Sequence, residues 1–201
     1  FGQILSSKFL NLFPYGAVNV HGSILPKWRG AAPIQRSLEH GDSETGVALQ
    51  KVVRELDAGD VLGVRKISLD QMINAQELHD QLAKLGADLL HVELMDYMRG
   101  NLAGIPQDAS LVTYAKKIDK AESLIDWSKP AREIHNKVRA LVMGPGTYVL
   151  FQGKKIKIHK TEFQNEDKIS PNSSSEVGRI LKIQSEGLGA IFVATGNGTL
   201  V

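Results

Sequence analysis

The 201-residue chain has no cysteine. Disulfides, thiolate-bound zinc and a cysteine nucleophile are therefore all excluded. Long apolar runs are missing too. No stretch approaches the roughly 20 residues that a membrane-spanning helix needs, so no membrane partner is expected. No phosphate-cradling glycine loop is present, because Gly187-Leu188-Gly189 sits in a hairpin-like context rather than between a strand and a helix. The six histidines form no zinc pattern, and no serine occupies a nucleophile-elbow context, so no metal is expected.

What remains is ordinary globular material, 42% hydrophobic and 23% charged. The length suits two modest domains. The net charge of +2 hides an asymmetry. Residues 1–110 hold 10 basic and 13 acidic side chains, a net −3, whereas residues 111–201 hold 14 and 9, a net +5. A basic second half is what a polyanion-binding surface would look like, and equally what a solvated lysine-rich face would look like.

The motif with most chemical content is Asn19-Val20-His21-Gly22-Ser23-Ile24-Leu25-Pro26-Lys27-Trp28-Arg29-Gly30. An apolar strand ends in Asn-x-His, and strand alternation points both polar side chains the same way. An amide beside an imidazole can polarise a carbonyl; a capped turn with a satisfied histidine would look the same. A second piece, Arg54-Glu55-Leu56-Asp57-Ala58-Gly59-Asp60, falls between two strand-like runs. It is good turn chemistry, and if Asp57 reaches His21 the two form an acid–imidazole pair.

The coarse pattern alternates strands and helices, which argues for an α/β sheet. It predicts a strand end at Phe1–Leu5, a short helix at Ser6–Phe13 and a strand at Val18–Val20. A helix over Ala31–His40, with Ile34 and Leu38 on one face, is followed by strands at Val47–Val53 and Val61–Ile67. A long helix over Ala75–Arg99 has Leu78, Leu82, Leu85, Leu89 and Val92 at helical spacing. Further on, Ser128 is positioned to cap a helix carrying Ile134, Val138 and Leu141. Strands are expected at Thr147–Phe151, Lys155–Phe163, Gly178–Gln184 and Ala190–Thr195. These short, glycine-punctuated strands suggest a small barrel, and Gln164–Glu176 reads as a polar loop. In Lys155–His159, cationic and apolar residues alternate, as on a phosphate-facing strand or a lysine-protected edge.

Asn19–Pro26 with Arg29–Gln35 behind it resembles the formyltransferase motif of the methionyl-tRNA formyltransferase family. Leu56–Asp60 resembles that family's acidic loop. Thr113–Ile118, Ile125–Ala131 and Ile134–Ala140 resemble the stretch that enters its second domain. The loop Leu141-Val142-Met143-Gly144-Pro145-Gly146 departs from the family's aromatic-containing loop. The chain opens without Met and stops just after an Asn197-Gly198 hairpin signal, so it reads as an internal fragment of such a protein.

The resemblance implies the later part of a Rossmann-like catalytic domain at 1–101, a linker at 102–115, and an OB-like β-barrel that binds tRNA at 116–201. It implies 10-formyltetrahydrofolate as formyl donor and methionyl initiator tRNA as acceptor, in a bacterial cytoplasm or an organelle matrix; the oligomeric state is left open, with a monomer favoured. Asn19 and His21 would stabilise the oxyanion on the formyl carbon, with Asp57 as partner of His21 and proton relay. Gly2, Gln3, Ile4, Leu5, Ser23, Ile24, Leu25, Pro26, Arg54 and Glu55 would line the folate site. Lys116, Lys117, Arg132, Lys155 and Lys157 would meet tRNA. A sibling that formylates a nucleotide-linked amino sugar, and an RNA-binding module on an inactive scaffold, are the alternatives.

Overall fold

The structure is a computed structural model that describes residues 6–10, 12–164, 177–185 and 189–201. The expected strand end at 1–5, nearly all of the polar loop 164–176 and the turn residues 186–188 lie outside these. The chain divides into two compact units. The first comprises Phe1–Ser37, Asp42–Gln71 and Gln76–Lys117; the second comprises Leu38–Gly41, Met72–Ala75 and Ile118–Val201. Among the described residues no helix is long and apolar enough to cross a membrane.

The first unit opens with a short helix, α1 (Ser7–Leu10), and is built on strands β1 (Val18–His21), β3 (Glu44–Lys51) and β4 (Val61–Ser68). They form one sheet in the order β1-β3-β4, antiparallel throughout. The connection from β3 to β4 is too short for a parallel crossover, which needs a dozen or more residues. Within this three-stranded sheet no parallel βαβ unit of the expected Rossmann-like kind appears. Helix α2 (Pro33–His40) follows the two-residue strand β2 (Arg29–Gly30), and its Leu38 is fully buried.

The long helix α3 (Ala75–Met98) forms at the predicted place. Leu78, Leu82 and Leu89 are buried as their spacing requires. Val92 is not, being 55% exposed. At that point Glu93 takes the inward position and pairs with Arg65 at 3.3 Å, so the apolar face ends a turn early. Gly86 lets helix and sheet meet closely, since a Cβ there would lie 2.8 Å from Val20 Cγ1.

Residues 102–115, expected as a linker, are knitted into this unit. Ile105 exchanges two main-chain hydrogen bonds of 2.9 Å with Val61. Strand β5 (Tyr114–Ala115) pairs in parallel with β2.

In the second unit, helix α4 (Ala131–Ala140) buries Ile134 and Val138, with Leu141 beyond its end. Pro130 is its N-cap, and no side chain caps it. Ser128, expected in that role, donates instead to Asp126 Oδ1 at 2.6 Å. That bond, first of several, holds the exposed Asp126 carboxyl below the usual carboxylate range. The departing loop after α4 closes on itself, with the amides of Gly144 and Gly146 both donating to Leu141 O at 2.9 Å.

Strands β6 (Thr147–Phe151) and β7 (Lys154–Ile158) make a hairpin through Gln152-Gly153, both at positive φ as a type I′ turn demands. The predicted strand to Phe163 breaks after Ile158 and resumes as β8 (Phe163–Gln164). β9 (Ile180–Gln184), β10 (Ala190–Ala194) and β11 (Thr199–Leu200) join β8 in a second sheet, ordered β8-β11-β10-β9. The Asn197-Gly198 signal does turn the chain back into β11. Ile125, Ile134, Val138 and Leu200 form the core, with Trp127 and Phe163 packed on it. The two sheets border an apolar cavity of about 660 Å³ lined by Val149, Ile156, Ile180 and Ile191. They do not close into a barrel among the described residues.

Candidate active site

The polar cluster lies in the first unit, where β1 and β3 run side by side. Asn19 pairs in register with Gln50 and His21 with Ala48, so Asn19, His21 and Gln50 project from the same sheet face. Asn19 is exposed and His21 is buried. One end of the imidazole is fixed, with Nε2 2.9 Å from the Trp28 carbonyl oxygen. A carbonyl only accepts, so Nε2 carries a proton. The other nitrogen, Nδ1, lies 3.7 Å from Asp57 Oδ2. That is an ion-pair distance for a protonated ring, and too long for a hydrogen bond.

Asp57 is held at three atoms. Its Oδ2 accepts from the Gly30 amide at 2.8 Å and its Oδ1 from Gln50 Nε2 at 2.9 Å. Its carbonyl oxygen accepts from Gln107 Nε2 at 2.8 Å. The backbone is left-handed there, at φ +48°, a conformation that costs a non-glycine residue of order 1–3 kcal/mol and persists only under restraint. The loop also needs Gly59, because a Cβ there would overlap Lys51 O.

Trp28, at φ +61°, is the other strained residue of the site. Its amide donates to Thr113 Oγ1 at 2.9 Å and its indole Nε1 to Asp42 Oδ2 at 2.7 Å. These bonds fix the carbonyl that receives His21.

Asn19, His21 and Asp57 are thus brought to one place. The expected folate-lining residues fare unevenly. Gly2, Gln3, Ile4 and Leu5 lie outside the described residues. Ser23 is wholly buried and its hydroxyl donates to Lys27 O at 2.6 Å, while Leu25 is a core residue. Both brace the loop from inside, leaving Ile24 and Pro26 half-buried. Arg54 and Glu55 are exposed. Beside them Val53 and Leu56 expose large apolar side chains, 43% and 62%.

The expected cationic residues are divided between the two units. Lys116 and Lys117 lie in the first unit, where their carbonyls accept from the Arg36 guanidinium at 3.1 and 3.4 Å. Arg132, Lys155 and Lys157 are exposed in the second.

Two site residues escape a reading of the sequence, Gln50 and Gln107. Gln50 carried a faint signal, a long polar side chain inside an otherwise apolar strand run. Its side chain is 2% exposed, and Oε1 has no hydrogen-bond partner. Gln107 carried no signal, since it sits among linker-like residues.

The formyl transferase family model matches residues 1–94, and the formyl transferase C-terminal domain model matches 117–201. The chain is 54% identical over 200 residues to the methionyl-tRNA formyltransferase of Bdellovibrio bacteriovorus, covering 100% of this chain and 61% of that protein. It is 38% identical over 201 residues to that of Listeria monocytogenes, covering 100% and 62%. The chain thus spans about three fifths of the length of these relatives.

Among solved structures, an N-formyltransferase of Helicobacter canadensis with folinic acid and dTDP-3-aminofucose superimposes with a TM-score of 0.77. The identity is 19%, over 100% of this chain and 70% of that one. HypX from Aquifex aeolicus with tetrahydrofolic acid gives 0.67 at 19%, over 91% and 30%. At such identities the likeness is one of fold. Two formyl transferase models laid end to end over nearly the whole sequence, with relatives matched along its full length, place this chain in the formyl transferase family.

Proposed function

We propose that this chain carries the machinery for formyl transfer from 10-formyltetrahydrofolate to the α-amine of methionyl initiator tRNA, a step in translation initiation. The observation that most supports the reaction is the approach of His21 Nδ1 to Asp57 Oδ2 beside Asn19. The 54% identity along the whole chain supports the acceptor. Such a protein would work in a bacterial cytoplasm or an organelle matrix.

The substrate amine attacks the formyl carbon directly, so no enzyme nucleophile is needed. As the new C–N bond forms, charge collects on the formyl oxygen. The Asn19 amide and the His21 Nδ1–H of a protonated ring are the donors for it, because Nε2 is already committed to Trp28 O. The bond from carbon to the folate nitrogen then breaks, and the oxygen regains its double bond. The proton lost by the amine passes to Asp57, directly or through water, and the departing folate nitrogen gains one. Ile24, Pro26, Arg54 and Glu55, with exposed Val53 and Leu56, would border the pterin. Ser23 and Leu25 would support that wall from behind, and Gly2–Leu5 would complete it. The first unit would belong to a Rossmann-like sheet. The second would be an OB-like module whose Arg132, Lys155 and Lys157, with Lys116 and Lys117, follow tRNA phosphates.

The test incubates the intact protein with 10-formyltetrahydrofolate and methionyl-tRNA and follows formylmethionine. Transfer is expected to fall by about 100-fold or more in His21→Ala, as for loss of an oxyanion donor. Asp57→Asn is expected to lower kcat far more than folate affinity. Transfer to a nucleotide-linked amino sugar in place of the tRNA would overturn the acceptor assignment. Folate binding with no transfer to either would overturn the enzymatic one.

A further inference from the structure

We propose that Arg29 and Gln107 form a positioning pair that sets Asp57 for the reaction. The inference rests on the reading of Asp57 as a catalytic group. Every hydrogen-bonding position of the Gln107 side chain is used. Its Nε2 donates twice, to Asp57 O at 2.8 Å and to Gly59 O at 2.7 Å. Its Oε1 accepts twice, from Arg29 Nε at 3.0 Å and from Arg29 Nη2 at 2.8 Å.

The guanidinium directs two donors, Nε–H and Nη2–H, at the one oxygen, which fills both of its acceptor positions and leaves only the two N–H groups to face the acidic loop. A hydrogen-bonded circuit results. Arg29 holds Gln107, and Gln107 holds the Asp57 main chain. The Asp57 carboxylate receives the amide of Gly30, the residue next to Arg29. The circuit closes around a residue whose φ of +48° needs outside restraint. Because the segment 102–115 is anchored at Ile105 and again at Tyr114–Ala115, Gln107 is delivered from a fixed backbone.

Neither Arg29 nor Gln107 is a catalytic residue. Their effect passes through Asp57, and small displacements of a catalytic group are costly: about 1 Å can lower a rate of the order of 100-fold. In Gln107→Glu the side chain keeps its size and its bond to Arg29. A carboxylate has nothing to donate to Asp57 O or Gly59 O, and its charge faces two carbonyl oxygens.

The experiment uses the intact protein and two readouts, kcat for formyl transfer and the hydrogen-exchange rate of the Gly30 amide, whose proton points at Asp57 Oδ2. In Gln107→Glu we expect kcat to fall about 10- to 100-fold and the Gly30 amide to exchange faster. In an Asp57→Asn background the same change is expected to cost less than about twofold, since the route through Asp57 is already lost. Arg29→Lys, which keeps the charge and loses the fork, should move both readouts in the same direction by less. It also stands in if Gln107→Glu does not fold. Where Asp57→Asn lowers turnover to a slow but measurable rate, either an unchanged Gly30 amide or a Gln107→Glu kcat within about twofold of the parent overturns the proposal. If Asp57→Asn turns over like the parent, the catalytic reading of Asp57 fails, and the Gly30 amide alone decides whether the pair places it.

Discussion

Gln50 shows how much of this site is decided by single polar atoms. Only its NH₂ end can face the Asp57 carboxylate, so its Oε1 necessarily points away, and there it lacks a partner. Two opposing magnitudes follow. A hydrogen bond to a charged group contributes about 1.5–3 kcal/mol, and a buried unsatisfied acceptor costs about 1–3 kcal/mol. Replacing the amide by an apolar side chain of similar volume removes both. Gln50→Leu is therefore expected to change stability by less than about 1 kcal/mol in either direction. Turnover should nonetheless fall about tenfold, because Asp57 Oδ1 loses the donor that fixes its rotamer. Urea melts and kcat measured on the same preparation check this. A stability loss above about 2 kcal/mol with kcat per folded molecule unchanged would mean that Gln50 only braces the fold.

At the level of elements, legibility followed local rules. The apolar spacing of Leu78, Leu82 and Leu89 placed α3, and Asn-x-His alternation placed two side chains on one face of β1, because both depend on neighbours in sequence. The Asn197-Gly198 turn was equally plain, since the positive φ at Gly198 selects glycine. What stayed hidden depends on residues far apart in the chain. Gln107 serves Asp57 from 50 positions away. Ser23 and Leu25 were expected in the folate site by resemblance, yet both are buried. Val92 kept the helical period but lost its burial to Glu93.

The packing of α3 on β1 makes its own prediction. Gly86→Ala gains roughly 1 kcal/mol of helix propensity. Its new methyl meets Val20 Cγ1 at 2.8 Å, and overpacking of this kind costs about 1–3 kcal/mol. A net loss of about 1 kcal/mol is expected, with reduced turnover because Val20 stands between Asn19 and His21. Combined with Val20→Ala, the two changes should cost less than the sum of the single effects. Strict additivity in thermal and denaturant melts would show that the contact relaxes elsewhere.

Across the whole molecule, charge is divided by region: net −3 over residues 1–110 and +5 over 111–201. If the basic half follows tRNA phosphates, affinity must depend on salt, because each neutralised phosphate releases bound counterions. On single strands and duplexes the slope of log K against log salt is about −0.7 to −0.9 per contact. Lys155 and Lys157 lie on one strand and on the same side of it, both exposed. Yet the Lys155 ammonium sits 3.7 Å from the centre of the Tyr148 ring, a contact that itself holds the cation. The two lysines can therefore be separated. Lys157→Gln is expected to weaken methionyl-tRNA binding and flatten the salt slope by about 0.7–0.9. Lys155→Gln should do so only if the ammonium leaves the ring to meet phosphate. Folate affinity should stay the same in both, as the site around Asp57 lies in the other unit. Titrations of tRNA at several salt concentrations decide it. An unchanged slope in the double variant would make this strand a solvated edge kept soluble by lysine, and the tRNA-facing cations would then have to be sought among Lys116, Lys117 and Arg132.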